Sequence, residues 1–343
     1  MPRESGAVET PISIQEQSQI AQARRQGLTL ANQQGLSETL AGNVALVITE
    51  IGTNLIKHGG GGEIILRPIE DGLSAGVEIL ALDHGPGMED PGKSARDGYS
   101  TSGTLGFGMG AIARMSTVSD VYSTPTGGTA VFARIGHPLA DAGTYNPAKR
   151  LHVSGISIAK PGQEACGDMW AEKRIDGARW VTVIDGLGHG PMAAVAAAAA
   201  VRTFHAAPAD ASPADVIRAA HVGLKGTRGA VMAVAAIRPA LGIIEFAGVG
   251  NITAVLMHET ETKRLMSSDG TVGYSLRTVR DQSLTWHRDS VLAMTSDGLS
   301  TRWNLNDHPW LISRHPSLIS AILYRDFSRH NDDATAVVVK EIS

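Results

Sequence analysis

Five aspartates in the second half of the chain share one setting. Asp168 in "ACGDMW", Asp185 in "TVIDGLGHG" and Asp297 in "LAMTSDGLS" each close an apolar run beside a glycine; Asp332 and Asp333 in "RHNDDATAVVV" open one. Taken singly, Asp-Gly is an ordinary turn dipeptide. Taken together, they describe an oxygen-rich site without a Cys or His cluster, which selects Mg²⁺ or Mn²⁺ over Zn²⁺. Two such ions clamp a phosphate and generate a hydroxide between them. Crowded carboxylates need that positive charge, because like charges raise one another's pKa.

A different chemistry is spelled out upstream. Glu50, Asn54 and His58 recur every four residues, on one helix face. Asn54 offers an amide oxygen to Mg²⁺, and Glu50, one turn earlier, can accept a proton from an attacking hydroxyl. Asp83 ends "GVEILALD" and begins "DHGPG", where Gly85 and Gly87 permit a tight turn. An ionised aspartate only accepts hydrogen bonds, so it suits the exocyclic amine of adenine. Gly103, Thr104, Gly106, Gly108 and Gly110 lie in "STSGTLGFGMGAI", a stretch whose backbone N–H groups can hold a polyphosphate. Gly127, Gly128 and Thr129 then precede a closing strand. There is no G-x-x-x-x-G-K-[ST], so a Walker-type loop is excluded.

Other residues read more plainly. His58 fits a solvated helix end and His189 a loop-packing role. Cys166 has no C-x-x-x-x-x-R loop around it and suits a buried small side chain. Arg174, Arg202 and Arg228 have no spacing that distinguishes a phosphate clamp from surface charge.

The elements that must position these residues fall into two groups. Residues 15–34 form a polar amphipathic helix, and a second helix runs from a Ser37 N-cap to the glycines at 59–62. "EIILRPI", "GVEILALD" and "GGTAVFARI" read as strands, with a short helix at "AIARMS". Residues 137–150, with two prolines and no periodicity, read as a linker. Beyond it strands dominate: "GISIA", "ARWVTVID", "GAVMAVAAIR", "LGIIEFAGVG", "ITAVLMH", "SVLAMTSD" and "ATAVVVKEI". Helices fit 191–206, 213–224 and 316–328, so stacked sheets covered by helices are expected.

Bulk properties narrow the setting. The chain has 343 residues, 43% hydrophobic and 19% charged, enough for two buried cores. A net charge of -4 gives no reason to propose a nucleic-acid or membrane partner. The single cysteine, the lack of an apolar signal core and the lack of a long apolar run predict a cytoplasmic protein.

In order, E-x-x-x-N, D-x-G-x-G, the glycine-rich stretch and G-G-T resemble the Bergerat-fold ATPases, and most closely the RsbT-type switch kinases. The resemblance covers residues 12–135 through "TEIGTNLIKHGGGGEI", "DHGPGMED" and "DGYSTSGTLGFGMGAIARMSTVSD". It implies ATP with Mg²⁺ on Asn54, Glu50 as base, Asp83 on adenine above Gly85 and Gly87, and lid glycines at 106, 108 and 110. Residues 155–341 resemble the RsbX/SpoIIE-type branch of the type 2C phosphatases through "CGDMW", "DGLGHG", "RGAVMAVAAI", "FAGVGNITAVL", "TSDGL" and "DDATAVVV". That resemblance implies two Mn²⁺ or Mg²⁺ ions on Asp168, Asp185, the Gly186 carbonyl, Asp297 and either Asp332 or Asp333, the family pattern favouring the first. In "TVIDGLGHGP" the glycines then serve the aspartate rather than a nucleotide.

The expected fold is a two-domain α/β protein, a Bergerat-fold α/β sandwich over 1–136 and a type 2C phosphatase α/β-β/α sandwich over 151–343. The implied function is a protein-serine/threonine kinase and phosphatase acting on a STAS-domain partner of the RsbS/RsbR kind, with a further partner-switching regulator conceivable. Two rivals remain at this level: an ATP-binding module that sequesters a partner, or a phosphatase carrying a nucleotide sensor.

Overall fold

The computed structural model describes residues 9–69, 74–89, 108–138, 151–259 and 261–342. The chain divides into two compact units. One comprises Glu9–Gly143 with His308–Ile322, and the other Met1–Val8, Thr144–Asp307 and Leu323–Ser343. They are called here the N-terminal and C-terminal units.

In the N-terminal unit, helices α1 (Gln17–Gln33), α2 (Glu38–Asn54) and α3 (Gly108–Met115) accompany one antiparallel sheet. Its strands are β1 (Ile12–Ile14), β2 (Gly62–Ile69), β3 (Ser74–Leu82), β4 (Val118–Ser123) and β5 (Thr129–Pro138), in the order β1-β2-β3-β5-β4. The Ser37 hydroxyl accepts from the Leu40 N–H, 3.4 Å, and starts α2 where the sequence predicts it. Val44, Val47, Ile48 and Ile51 then pack with Val77, Ile79, Ala81, Val131, Ala133 and Ile135 in one core. Among the described residues, one helix, Glu38–Gly59, is long and apolar enough to cross a membrane; its Val44, Val47, Ile48, Ile51 and Leu55 belong to this core, while Leu46 is exposed.

Period-two alternation sends Glu78 to the face opposite Val77 and Ile79. There it is 2% exposed, ion-paired to Arg67 and, at 3.0 Å, to Arg134. Ser317 of the returning segment donates to the same carboxylate, 3.2 Å. In that segment the His315 ring stacks on Phe132 at 4.1 Å, and the His315 backbone N–H donates to Asp120 Oδ2 at 2.8 Å.

The C-terminal unit holds two five-stranded antiparallel sheets. The first contains β7 (Asp168–Ile175), β8 (Ala178–Gly186), β9 (Ala230–Arg238), β10 (Ile243–Val249) and β15 (Gln282–Thr285), in the order β15-β10-β9-β8-β7. The second contains β6 (Leu151–Ile158), β11 (Thr253–His258), β12 (Glu261–Leu265), β16 (Val291–Thr295) and β17 (Ala334–Glu341), in the order β12-β11-β16-β17-β6. Val181, Val183, Phe246, Leu256, Leu292 and Val337 form the core shared by the two sheets. The alternate residues Trp180 and Ile184 pack with Phe204, Ile217 and Met232, where α4 (Pro191–Ala206) and α5 (Pro213–Gly223) cover the first sheet. With both faces buried, β8 reads as a continuous apolar run. A short hairpin, β13 (Gly270–Thr271) and β14 (Ser275–Leu276), follows the second sheet's β12. The helix α6 (Pro316–Phe327) lies where one was expected.

Burial alone would raise the Glu78 pKa, but Arg67 and Arg134 outweigh it and hold the group at about 2. A carboxylate held below its unfolded value contributes stability that is complete above that value. The contribution is lost as the pH falls from about 4.5 towards 2. Glu78→Ala removes the carboxylate that Arg67 and Arg134 share, leaving Arg67 its 3.2 Å pair with Glu9, and is expected to cost about 3 kcal/mol. Hydrogen exchange of the β2 and β3 amides measures it; in Glu78→Gln the same amides should lose part of their acid sensitivity.

Candidate active sites

In the N-terminal unit the site is built around the end of α2. Glu50 and Asn54 are half-buried, one turn apart. A side-chain carbon on Gly108, the first residue of α3, would lie 3.5 Å from Asn54 Nδ2 and 3.7 Å from Glu50 Oε2. Beyond Asn54 the helix widens into a π-turn over Leu55–Gly59, and the Gly61 N–H bonds back to the Leu55 carbonyl at 2.9 Å. That turn carries Gly59 against Asp83, where a β-carbon would stand 2.8 Å from Asp83 Cβ. The glycine is therefore required by close approach, and so is Gly85, whose own β-carbon would meet Gly59 Cα at 2.8 Å. Asp83 is 8% exposed, and its Oδ1 accepts from the Gly85 N–H at 2.9 Å and the Thr129 N–H at 3.0 Å. The D-x-G-x-G turn and the G-G-T segment are thus tied together by one carboxylate oxygen. The Ser123 hydroxyl adds a second tie: it donates to the Gly128 carbonyl and accepts from the Met88 N–H, both 2.9 Å.

Gly87, with φ +69, lies in the same turn and Gly110 is buried in α3. Gly103, Thr104 and Gly106 lie outside the described residues. His58 is exposed, as its helix-end position implied. A cradle of glycines around an aspartate, with a helix N-terminus beside an acid and an amide, fits a nucleotide whose phosphates carry Mg²⁺.

In the C-terminal unit the carboxylates come from both sheets. Asp168 and Asp185 are direct cross-strand partners in β7 and β8. Asp297 follows β16 and Asp332 precedes β17, and those two strands pair, Thr295 opposite Ala336. Asp185, Asp297 and Asp332 line a cleft of about 490 Å³ together with His189, Asn251 and Asp269. Asp168 lies deeper, 2% exposed, with its Oδ2 buried and without a hydrogen-bond partner. Such an orphaned carboxylate oxygen beside three more carboxylates fits a hard divalent cation.

The neighbouring acids divide sharply. Both oxygens of Asp333 accept backbone N–H groups, of Lys160 and Gly167, each at 2.7 Å. Asp332 is half-buried, takes the Asp333 N–H at 3.0 Å and faces the cleft. Asp333 therefore pins the 160–167 loop, and Asp332 is the one with access to an ion. Gly186 is buried and gives its N–H to the Gly167 carbonyl, 3.0 Å. His189 is exposed at the cleft wall, so the loop-packing expectation does not hold. Cys166 is fully buried and forms no disulfide.

Two residues were missed. Asn251 donates to Asp297 Oδ2 at 2.8 Å and orients it. Asp269 adds a further carboxylate to the cleft. Its Asp-Gly signal was present at 269–270, but it follows a polar edge strand and not an apolar run. Separately, His258, Glu259 and Asp289 bring one ligand atom each within 4.8 Å of one another, a donor set a divalent ion could use. They sit at the opposite end of β11 from Asn251, roughly 20 Å away at the usual rise per residue, and are not part of the cleft.

Comparison with known proteins agrees with this division. Residues 15–135 match the histidine kinase-like ATPase domain family, and residues 176–341 match the Stage II sporulation protein E family. Serine/threonine-protein kinase RsbT of Bacillus subtilis (strain 168) is 30% identical over 122 residues, 36% of this chain and 92% of that protein. The chain is an RsbT-like GHKL kinase domain fused to a SpoIIE-like PP2C phosphatase domain. Among solved structures, one described as the bacterial stressosome, a modular system that has been adapted to control secondary messenger signalling, is similar to this chain. It has a TM-score of 0.52 and 26% identity over 55% of this chain and 99% of that one. A crystal structure of RsbX in complex with magnesium gives 0.50 and 22% over 56% and 96%, which supports the fold.

In the SpoIIE-like domain, burial first and the neighbouring aspartates second push Asp168 up to about 8 and Asp185 up to about 9. An acid raised on folding holds its proton longer in the native state. The metal-free domain therefore loses stability as the pH rises from about 4 towards 9. Its thermal midpoint is expected to fall across that range, and saturating Mn²⁺ or Mg²⁺ to flatten the slope. Calorimetric scans at several pH values check both.

Proposed function

We propose that the chain is a bifunctional switch enzyme that phosphorylates, and dephosphorylates, serine or threonine on a STAS-domain partner in partner-switching signalling. The observation that carries this reading is the presence, on one chain, of an RsbT-like ATP unit and a carboxylate cleft drawn from both sheets of a PP2C-type sandwich. Similarity to the stressosome structure supports the choice of a STAS protein of the RsbS/RsbR kind. We place the activity in the cytoplasm, where ATP and such a partner are met.

In the kinase direction Asp83 receives the adenine amine through the oxygen not committed to Gly85 and Thr129. Asn54 would hold Mg²⁺ on the phosphates, and Glu50, one turn away, takes the proton of the acceptor hydroxyl as its oxygen bonds to the γ-phosphorus and the bond from that phosphorus to the departing ADP breaks. Transfer is then mostly positioning and charge neutralisation. In the phosphatase direction Asp168, Asp185, the Gly186 carbonyl, Asp297 and Asp332 would hold two Mn²⁺ or Mg²⁺ ions. When bound, the ions supply charge neutralisation and an activated water. Asn251 fixes the Asp297 rotamer, and Asp333 fixes the loop beneath Asp168 without touching the ions.

The test uses the full chain with a STAS-domain protein and radiolabelled ATP. Asn54→Ala is expected to lower label transfer at least a hundredfold with dephosphorylation intact, and Asp185→Ala the reverse, effects on the order of those seen when a positioned charge is removed. Tight ATP binding with no transfer by the wild type would establish a sequestering module instead. Gly59→Ala pushes Asp83 off its position and should weaken ATP binding about tenfold, as expected for one displaced charge-assisted hydrogen bond; calorimetry reads it.

A further inference from the structure

Spacing alone does not separate Arg174, Arg202 and Arg228, but the fold does. All three are exposed, and none has an ion pair or hydrogen bond among the described residues. Arg174 stands near the end of β7 away from Asp168, and Arg202 lies in the last turns of α4. Arg228 is placed by strand register. β8 and β9 pair Asp185 with Val231 and Gly186 with Ala230. The Leu187 N–H continues the ladder to the Gly229 carbonyl at 3.0 Å, which brings Arg228 opposite Gly188.

Contact follows from that register. A β-carbon on Gly188 would lie 3.0 Å from Arg228 Nη1, and Gly188 itself lines the acidic cleft. With φ +88 and no side chain, Gly188 lets the guanidinium lie over the loop. The arginine's own backbone is held: the Thr227 hydroxyl donates to the Leu224 carbonyl at 2.7 Å and accepts from the Gly229 N–H at 3.0 Å. A cation is thus anchored at the edge of a cleft lined by Asp185, Asp269, Asp297 and Asp332, yet paired to none of them. Each of those acids repels a phosphate dianion, so an uncommitted guanidinium beside them supplies attraction where the substrate must enter.

We propose that Arg228 binds the phosphoryl group of the phosphoserine or phosphothreonine substrate, with its planar fork on two of the phosphate oxygens. This rests on the phosphatase reading above. Arg228 is a substrate-binding residue, not a metal ligand, so its loss should separate phosphate recognition from ion binding.

The experiment uses the full chain with Mn²⁺, p-nitrophenyl phosphate as substrate and inorganic phosphate as competitive inhibitor. Arg228→Gln is expected to raise both KM and the phosphate inhibition constant about ten- to a hundredfold, the range for hydrogen bonds to a charged group. Mn²⁺ affinity by calorimetry should be unmoved. Arg228→Lys should recover part of the loss, because lysine restores the charge without the fork. Arg174→Gln and Arg202→Gln should match the wild type. An active Arg228→Gln with the wild-type phosphate inhibition constant overturns the proposal alone. A wild type that neither hydrolyses the ester nor binds phosphate overturns the phosphatase reading, and this proposal with it.

Discussion

Asp168 and Asp185 stand directly across from each other on adjacent strands, and burial leaves water little part in keeping both ionised. Much of the C-terminal unit's design follows from that placement. The Ser296 and Thr335 hydroxyls favour the ionised form of Asp168 against its burial, and Asn251 donates to Asp297. The two strands that bring Asp297 and Asp332 belong to the opposite sheet, so the cleft exists only when both sheets are stacked. Apolar packing of Val183, Phe246, Leu292 and Val337 is therefore what holds like charges together, and a cation is what makes the assembly favourable.

The N-terminal unit solves a different problem. There the surrounding backbone comes to one buried aspartate, Asp83. Glycines at 59 and 85 remove the side chains that would keep Asp83 from its neighbours, and the π-turn after Asn54 delivers one of them. A widened helical turn weakens regular bonding, and here it sits between the amide at 54 and the glycine at 59.

Much of this was legible in the sequence because it was written in local patterns. The N-cap at Ser37, the apolar runs ending in aspartate and the order of the glycine motifs each follow from short-range chemistry. The strands that escaped notice in the three large sheets, β1, β4, β7, β12 and β15, all lie at sheet edges. An edge strand is paired on one side only and carries polar residues such as those of "ETKRL" and "QSLT", which blur the alternation that reveals a central strand. The difference between Asp332 and Asp333 rests on two backbone N–H groups more than 150 residues away, which no local pattern shows; the family resemblance alone favoured Asp332. Asp269 and Asn251 depend on the same kind of long-range closure.

The segment His308–Ile322 has a temporal consequence as well as a spatial one. It counts with the N-terminal unit although it is made long after Gly143. Buried Leu318, Ile319 and Ile322, the His315 ring on Phe132 and the Ser317 bond to Glu78 are all missing while the intervening chain is being synthesised. At about 5–20 residues per second that interval is on the order of ten seconds. The nascent ATP-binding unit spends it with the Glu78 face of its sheet incomplete, so the part of the chain that begins first at the ribosome is finished only when the other is nearly complete.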